Sequence, residues 1–309
     1  MTVLFYSESD ASEPWREAFG RAFPQLPFRV WPEPGADEAV RYALVWKPEA
    51  GLLSRLPNLK AIISLGAGVD HILRDPQLPQ GVPIIRLRDA GFAQQMAEYS
   101  VYAVLHFQHR MPEFLAQQRQ ADWRQLEPGL TRDWRVGVMG LGAIGGRVAQ
   151  RLAALGFPVM GWSRSAKRVD GIETFHGESG LHNFLSRARV AVNVLPLTPQ
   201  TEDILDARRF AVMPRGAFVV NIGRGAHLVE QDLLDALDSG QLGGAMLDVF
   251  REEPLPRNHP FWHHPKIVVT PHVAGVTIPS EAEAQVIEIV RQLECGEMPP
   301  GLVDRSRGY

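Results

Sequence analysis

The 309-residue chain contains a single cysteine, Cys295, so it can form neither an internal disulfide nor a metal site built from several cysteines. No apolar run approaches the roughly 18 residues that a membrane-spanning helix needs, which argues against a transmembrane protein. The N-terminal segment lacks a basic region, and Glu8 and Asp10 interrupt its short apolar stretch, so we expect no secretory signal. A cytoplasmic protein that does not bind membranes is therefore expected.

An excess of positive charge is also missing, because 32 Lys and Arg residues are outnumbered by 35 Asp and Glu residues. Proteins that bind nucleic acids need a basic face, so we expect no nucleic-acid partner. The 28 glycines and 24 prolines are too few for a low-complexity chain, and no internal repeat is visible. The length instead suggests two globular domains of about 150 residues each.

Short apolar runs alternate with helical stretches along the chain, a pattern typical of α/β proteins with parallel sheets. The early strand-like runs are residues 3–6, 43–46, 61–65 and 83–86. A helical stretch at about 93–110 precedes six further runs, at residues 135–139, 158–162, 190–195, 217–222, 245–249 and 267–270. Six such runs are enough for one complete doubly wound sheet.

This order predicts two α/β domains, each with a doubly wound parallel sheet. The smaller domain is expected to comprise residues 1–99 and 274–309, with a last helix at about 281–293 packed back on it. The larger domain, residues 100–273, is then inserted in the smaller one. One continuous large sheet is the alternative, since length is only a soft guide to domain number.

A glycine-rich turn follows the first strand of the larger domain. It reads Gly140, Leu141, Gly142, Ala143, Ile144 and Gly145, with a strand before it and a helix after it. This context makes the G-x-G-x-x-G pattern a prediction of dinucleotide binding in a Rossmann domain, because glycines allow a tight turn and a close approach of pyrophosphate. Amides at the helix N-terminus would then bind the anion. A purely structural strand–helix turn is the alternative.

The segment after the next strand carries no acidic residue, although an NAD site usually places an Asp or Glu there for the ribose 2′-hydroxyl. It reads Ser163, Arg164, Ser165, Ala166, Lys167 and Arg168. Guanidinium and hydroxyl groups suit a 2′-phosphate, which an arginine can bind with two parallel hydrogen bonds. The segment therefore predicts that NADP is preferred, with NAD as the second cofactor; a solvated basic loop is the alternative.

Three charged side chains stand just beyond the last three strand-like runs, at the sheet edge where open parallel sheets bind ligands. They are Arg224, Glu253 and His272. Each alone would be read as a surface ion pair, a loop acid or a capping residue. Together they suit the reduction of a 2-keto acid, since an arginine can hold the carboxylate and polarise the keto oxygen while a histidinium donates a proton. A carboxylate beside the histidine favours its protonated form and orients it.

With these residues in view, the sequence resembles the D-2-hydroxyacid dehydrogenase family, most closely its glyoxylate/hydroxypyruvate reductase A branch. The likeness covers nearly the whole chain, at residues 66–71, 140–145, 195–201, 221–225, 248–254, 271–275 and 303–309. The resemblance implies reduction of glyoxylate to glycolate and of hydroxypyruvate to D-glycerate. It also implies a homodimer whose two domains close over the substrate. One departure supports NADP, because NAD-preferring members carry an acid where Ser163-Arg164-Ser165 stands.

The resemblance also implies roles for individual residues. Arg224, Glu253 and His272 would be the catalytic set, with His272 as the acid/base. The substrate-binding residues would be Trp46, Ala67, Gly68, Val69, Arg224 and His272. Further cofactor contacts would come from Leu195, Pro196, Thr201, Ile222, Gly223 and Asp248.

Alternatives remain at three points. Trp46 can also be read as a core residue closing a strand. The reaction can be reduction of a bulkier 2-keto acid, or the protein can be a dinucleotide-sensing binding protein of the corepressor type, because a fold does not fix a function. No metal site is expected, and we predict surface or capping positions for the remaining spaced histidines, namely His71, His106, His109, His176, His182, His227 and His259.

Overall fold

The structure, a computed structural model, describes residues 1–127 and 129–309. Its strands are β1 Thr2–Ser7, β2 Phe28–Val30, β3 Val40–Trp46, β4 Ala61–Ser64, β5 Ile84–Arg86, β6 Val136–Met139, β7 Val159–Ser163, β8 Glu173–His176, β9 Val190–Asn193, β10 Ala217–Asn221, β11 Leu242–Leu247 and β12 Ile267–Val269. Its helices are α1 Ser12–Ala22, α2 Asp70–Leu73, α3 Phe92–Gln108, α4 Met111–Arg119, α5 Ala143–Ala154, α6 Gly177–Leu185, α7 Ala207–Val212, α8 Glu230–Asp238 and α9 Pro279–Glu294.

The chain divides into two compact units. Unit 1 comprises Met1–Gly91 and Thr277–Tyr309, and unit 2 comprises Phe92–Val276. The first boundary lies ahead of the expected 99/100 because α3 is one continuous helix, and its Ala97 and Val104 are buried in the core of unit 2. A boundary at 99/100 would cut this helix in two.

Unit 1 is built on a five-stranded parallel sheet in the order β2-β1-β3-β4-β5. Its central strands read as apolar runs because both faces of a parallel sheet are covered. The helices α1 and α9 bury apolar residues at helical spacing, for example Trp15, Ala18 and Phe19 in α1. The short strand β2 was not predicted, since it contributes only three residues, one of them the buried Arg29.

Unit 2 is built on a seven-stranded parallel sheet in the order β12-β11-β10-β9-β6-β7-β8. This is the doubly wound order, with its topological switch point between β6 and β9. The predicted fold class is confirmed. The expected six strands are one too few, because the edge strand β8 (Glu-Thr-Phe-His) is largely solvent-facing and has no apolar run to reveal it.

Two general properties follow from the part of the chain that is described. No helix among residues 1–127 and 129–309 is long and apolar enough to cross a membrane. Within the same residues no group of three His, Cys, Asp or Glu side chains could hold a metal ion.

The expectation of a surface or capping position is wrong for His106, which is buried on α3, and this burial lowers the pKa of His106.

Candidate functional site

The glycine-rich turn connects β6 to α5 at the carboxyl edge of the larger sheet. Gly140 takes the left-handed region, with φ of +100°, and its N–H donates to the carbonyl of Trp162 in β7. A Cβ on Gly145 would lie 1.7 Å from the Gly140 carbonyl oxygen, so only glycine lets α5 start this close to the turn. Gly142 is the exposed N-cap of α5, and no described atom lies within 4 Å of where its Cβ would be.

The basic segment begins at the end of β7, next to this turn. Ser163 is buried and its hydroxyl donates to the Ser165 carbonyl at 2.8 Å, which fixes the start of the segment. Arg164 and Ser165 are exposed. Arg168 is 94% exposed and lies 3.8 Å from Asp170, so its charge is partly offset and screened by solvent.

Lys167 is a neighbour of the turn that the sequence prediction did not single out. Its Nζ donates to the Leu141 carbonyl at 3.0 Å, which places an ammonium group beside the glycine turn. Leu141 itself is buried, Ile144 is half-buried and Ala143 is exposed. A lysine in a solvated loop gives no sequence signal that its side chain will contact a backbone carbonyl 26 residues earlier in the chain.

The loop after β9 is held by one threonine. The Thr201 hydroxyl donates to the Pro196 carbonyl at 2.7 Å and accepts from the Thr198 N–H at 2.8 Å. Leu195 is buried in the core of unit 2. These hydrogen bonds therefore fix the backbone of residues 196–201.

Arg224 lies in the turn after β10, where Ile222 and Gly223 are buried. Its Nη1 donates to the Gly223 carbonyl at 2.8 Å. A Cβ on Gly225 would lie 1.8 Å from the carbonyl carbon of Phe250, so this turn is in direct contact with the loop after β11 that carries Glu253.

Glu253 and His272 form a hydrogen-bonded pair beyond the carboxyl ends of β11 and β12. Glu253 Oε2 and His272 Nδ1 are 2.9 Å apart, and the second carboxylate oxygen accepts from the Phe250 N–H at 3.1 Å. His272 has a left-handed backbone, with φ of +56°, which is rare for a residue with a side chain. Its N–H donates to the Asp248 carbonyl at 2.8 Å. The loop thus holds the imidazole with Nδ1 on the carboxylate and leaves Nε2 for chemistry.

Asp248 supports this loop from beneath. It is 1% exposed, and its carboxylate accepts hydrogen bonds from the N–H groups of Val273 and Ala274 and from the Thr270 hydroxyl. Tyr99 also bonds to Thr270, at 2.6 Å, and burial raises the pKa of Tyr99 to about 12. The predicted cofactor contact Asp248 therefore already serves as a brace for the His272 loop.

A buried polar network near Arg224 was not foreseen. It consists of Asn193, Asn221 and His227, all of which are fully buried. The expectation of a surface or capping position is met in its second form at His227: the ring caps the short Gly225–His227 turn, but from a fully buried position. Neither an asparagine at a strand end nor a lone histidine has a spacing that reveals such a network.

Four of the six predicted substrate residues, Trp46, Ala67, Gly68 and Val69, belong to unit 1, whereas Arg224 and His272 belong to unit 2. Trp46 ends β3, and its ring covers Gly66, where a Cβ would lie 2.4 Å from the indole. Ala67 and Gly68 follow on the same turn and are partly exposed, with the Gly68 carbonyl accepting from the Ser64 hydroxyl at 3.1 Å.

Val69 differs from these neighbours. Its side chain is buried in the core of unit 1, so only its backbone remains for a ligand. Trp46 is half-buried, and its ring makes an edge contact with the ring of His71, with ring centroids 4.5 Å apart. This position is compatible both with a substrate contact and with a residue that closes a strand.

The residues at the glycine turn fit a dinucleotide phosphate. The backbone is open at Gly142, the turn leads into a 12-residue helix, and the ammonium of Lys167 lies beside it. No carboxylate occurs in the segment 163–168. Donors without a competing negative charge match a 2′-phosphorylated nucleotide better than a nucleotide with a free 2′-hydroxyl.

Comparison with known proteins gives a consistent result. The family model described as "D-isomer specific 2-hydroxyacid dehydrogenase, NAD binding domain" matches residues 101–274. A curated glyoxylate/hydroxypyruvate reductase A from Serratia proteamaculans is 44% identical over the full length of both chains.

Two solved structures are similar over the whole chain. A D-isomer specific 2-hydroxyacid dehydrogenase from Xanthobacter autotrophicus, in complex with NADPH and MES, is 42% identical with a TM-score of 0.94 and covers 100% of this chain and 99% of its own. An NADPH-dependent glyoxylate/hydroxypyruvate reductase from Sinorhizobium meliloti, in complex with NADP and sulfate, is 38% identical with a TM-score of 0.92 and the same coverage.

Proposed function

The chain belongs to the D-isomer specific 2-hydroxyacid dehydrogenase family, and we propose that it reduces small 2-keto acids with NADPH, glyoxylate to glycolate and hydroxypyruvate to D-glycerate. The family makes it an oxidoreductase that uses a nicotinamide dinucleotide. The observation that carries the proposal is the Glu253–His272 pair, 2.9 Å apart, on loops in contact with the Arg224 turn. The names of similar proteins support the substrate class and NADP.

In the proposed reaction each of the three residues has one task. Bound NADPH supplies the hydride that reduces the keto carbon. His272 donates a proton from Nε2 to the keto oxygen, while Glu253 holds Nδ1 and offsets the positive charge of the imidazolium. Arg224 binds the substrate carboxylate and stabilises the negative charge that develops on the keto oxygen.

We propose that unit 2 is the dinucleotide-binding domain and unit 1 the substrate domain. The cofactor contacts would come from the turn 140–145, from Ser163, Arg164, Ser165 and Arg168, and from Leu195, Pro196, Thr201, Ile222, Gly223 and Asp248. The substrate contacts in unit 1 would come from Trp46 and from the backbone of Ala67, Gly68 and Val69, whose turn is held by the Ser64 hydroxyl. A cytoplasmic location would match the supply of NADPH.

We further propose a homodimer. Several large apolar side chains of unit 2 are exposed along α3, α4 and the segment after it, namely Tyr102, Met111, Leu115, Trp123 and Leu130. Trp123 is 97% exposed, which is unusual for a monomer, and a second copy of the chain would cover it.

Light scattering should give twice the 34.4 kDa chain mass, and Trp123→Ser should weaken the dimer. A monomeric wild type at micromolar concentration would contradict the dimer.

The function is tested with purified protein, NADPH and a panel of 2-keto acids, followed by the nicotinamide absorbance. We expect kcat/KM to be highest for glyoxylate and hydroxypyruvate. Preference for a branched or aromatic keto acid would support the bulkier-substrate alternative. Tight NADPH binding without turnover of any keto acid would support a dinucleotide-sensing protein.

Arg164→Ala should lower the preference for NADPH over NADH by roughly tenfold. A charge-assisted hydrogen bond to a 2′-phosphate is worth this much when solvent screens it in part, and Arg164 is exposed. The measurement is the ratio of kcat/KM for the two cofactors. Arg168→Ala is the matched control, with a smaller expected effect because Arg168 lies four residues further along the segment and is 94% exposed. A wild-type ratio near one would contradict the proposed role of the segment.

Glu253→Gln should move the alkaline limb of the reduction profile to lower pH. Reduction needs the imidazolium, so activity is present at low pH and is lost as His272 deprotonates. Removal of the negative neighbour disfavours the imidazolium, and the loss then begins at lower pH. The adjacent exposed Glu252→Gln is the control and should leave the profile unchanged. If Glu253→Gln and Glu252→Gln both gave the wild-type pH profile, Glu253 would not influence the proton donor.

A further inference from the structure

Three buried polar side chains form a closed hydrogen-bonded network at the ends of β9 and β10. Asn193 Nδ2 donates to Asn221 Oδ1 and to His227 Nδ1, both at 2.9 Å. All three side chains are fully buried. Buried polar groups cost stability unless they are hydrogen-bonded. Removal of one member of such a network therefore leaves polar groups of the other two without a partner.

The network also holds the backbone of the segments that carry the proposed binding residues. Asn193 Oδ1 accepts from the Leu195 N–H, and Asn221 Oδ1 accepts from the Gly223 N–H. Asn221 Nδ2 donates to the Arg224 carbonyl at 3.0 Å. The two segments of backbone at the ends of β9 and β10 are thereby tied to each other through side chains.

His227 connects the two segments with its two ring nitrogens. Nδ1 accepts from the Arg224 N–H at 3.1 Å and from Asn193, and Nε2 lies 3.3 Å from the Pro196 carbonyl. Because both partners of Nδ1 are donors, the proton must be on Nε2, which then donates to Pro196. The ring is therefore an imidazole of defined tautomer, with Nδ1 directed at the Arg224 N–H and Asn193 and Nε2 at the Pro196 carbonyl.

We propose that His227 is a positioning residue with two separable effects, an inference that rests on the proposed function of Arg224 and Pro196. Through Nδ1 it fixes the backbone of Arg224 and so the reach of its guanidinium to the keto acid. Through Nε2 it fixes the Pro196 carbonyl, which Thr201 also holds, and so the loop proposed to contact the cofactor. A shift of an ångström at such a group is enough to weaken binding or catalysis.

Two substitutions separate the effects. In His227→Asn the side-chain oxygen can replace Nδ1 as acceptor, but the side chain is too short to reach Pro196. In His227→Gln the amide can reach Pro196, but no acceptor remains at the position of Nδ1. We expect His227→Asn to raise the Kd of NADPH by roughly 3- to 10-fold with the KM of glyoxylate little changed. His227→Gln should raise the KM of glyoxylate by roughly tenfold with the Kd of NADPH little changed.

His259→Asn is the matched control. His259 also caps a short helical turn through Nδ1, which accepts from the Phe261 N–H at 3.3 Å, but it contacts none of the proposed binding residues. Both constants should stay at wild-type values. A purely structural role of His227 would change both constants to the same degree in both variants, or change only Tm, and either result would overturn the proposal.

The tautomer provides a test on the unmodified protein. In ¹⁵N-histidine-labelled wild type, the NMR shifts of His227 should be those of a neutral ring protonated on Nε2. A ring protonated on Nδ1 would overturn the proposal even if neither variant folds. If wild type fails to reduce keto acids, the proposed function fails, whereas the tautomer and the NADPH affinities still report on His227.

Discussion

His272→Ala should lower kcat for glyoxylate reduction by roughly 10²- to 10⁴-fold, the usual range for the loss of a general acid. The imidazole is held with Nδ1 on Glu253 at 2.9 Å, so the proposed proton donor Nε2 is lost with the side chain. The Kd of NADPH should change little, because the loss concerns proton transfer. Steady-state kinetics with saturating NADPH and a fluorescence titration of the cofactor measure the two quantities.

A histidine–carboxylate pair elsewhere in unit 2 offers the control for this result. His264 Nε2 lies 3.3 Å from Asp238, and the pair joins the helix α8 to the segment before β12. His264→Ala removes a similar pair of residues that are not part of the proposed site and should keep kcat within about twofold of wild type. Near-normal turnover in His272→Ala would mean that the proton comes from another group.

Arg224→Ala should lower kcat/KM for glyoxylate by roughly 10²- to 10³-fold, through both a lower kcat and a higher KM. The guanidinium is proposed to bind the carboxylate in the ground state and the developing oxyanion in the transition state. Arg224→Lys should recover only part of the activity, since an ammonium group cannot make two parallel hydrogen bonds.

Arg187→Ala serves as the control for Arg224. Arg187 makes two hydrogen bonds to Glu173 at the surface of unit 2, both at 2.7 Å, so its loss removes a strong ion pair without touching the strand ends. Kinetics should stay close to wild type. If Arg224→Ala raised only the KM of NADPH, Arg224 would have to be reassigned from the substrate to the cofactor.

The positions of the catalytic candidates were predictable from the sequence because parallel strands bring their carboxyl ends to one edge. Arg224, Glu253 and His272 each follow an apolar run, and these runs are the easiest elements to detect. The strands β2 and β8 were missed for the opposite reason, since an edge strand needs apolar residues on part of its surface only. Element bounds at α3 were shifted because helix starts depend on local capping.

The support around the site was not predictable in the same way. Asp248 appears in the sequence as one more acid after a strand, yet it is bound by two backbone N–H groups and a hydroxyl beneath the His272 loop. His227 appears as an isolated histidine, yet it is buried between two loops. Hydrogen bonds between residues distant in sequence leave no periodic signal, so only the folded chain reveals them.

Reduction of a small 2-keto acid by NADPH at this site can be measured by product analysis. Wild-type protein is incubated with glyoxylate and NADPH, and glycolate and oxidised cofactor are quantified together. We expect one glycolate for each NADPH consumed, and no NADPH oxidation when glyoxylate is omitted. If NADPH binds but is not oxidised, and glyoxylate and hydroxypyruvate are both recovered unchanged, the protein does not reduce these keto acids.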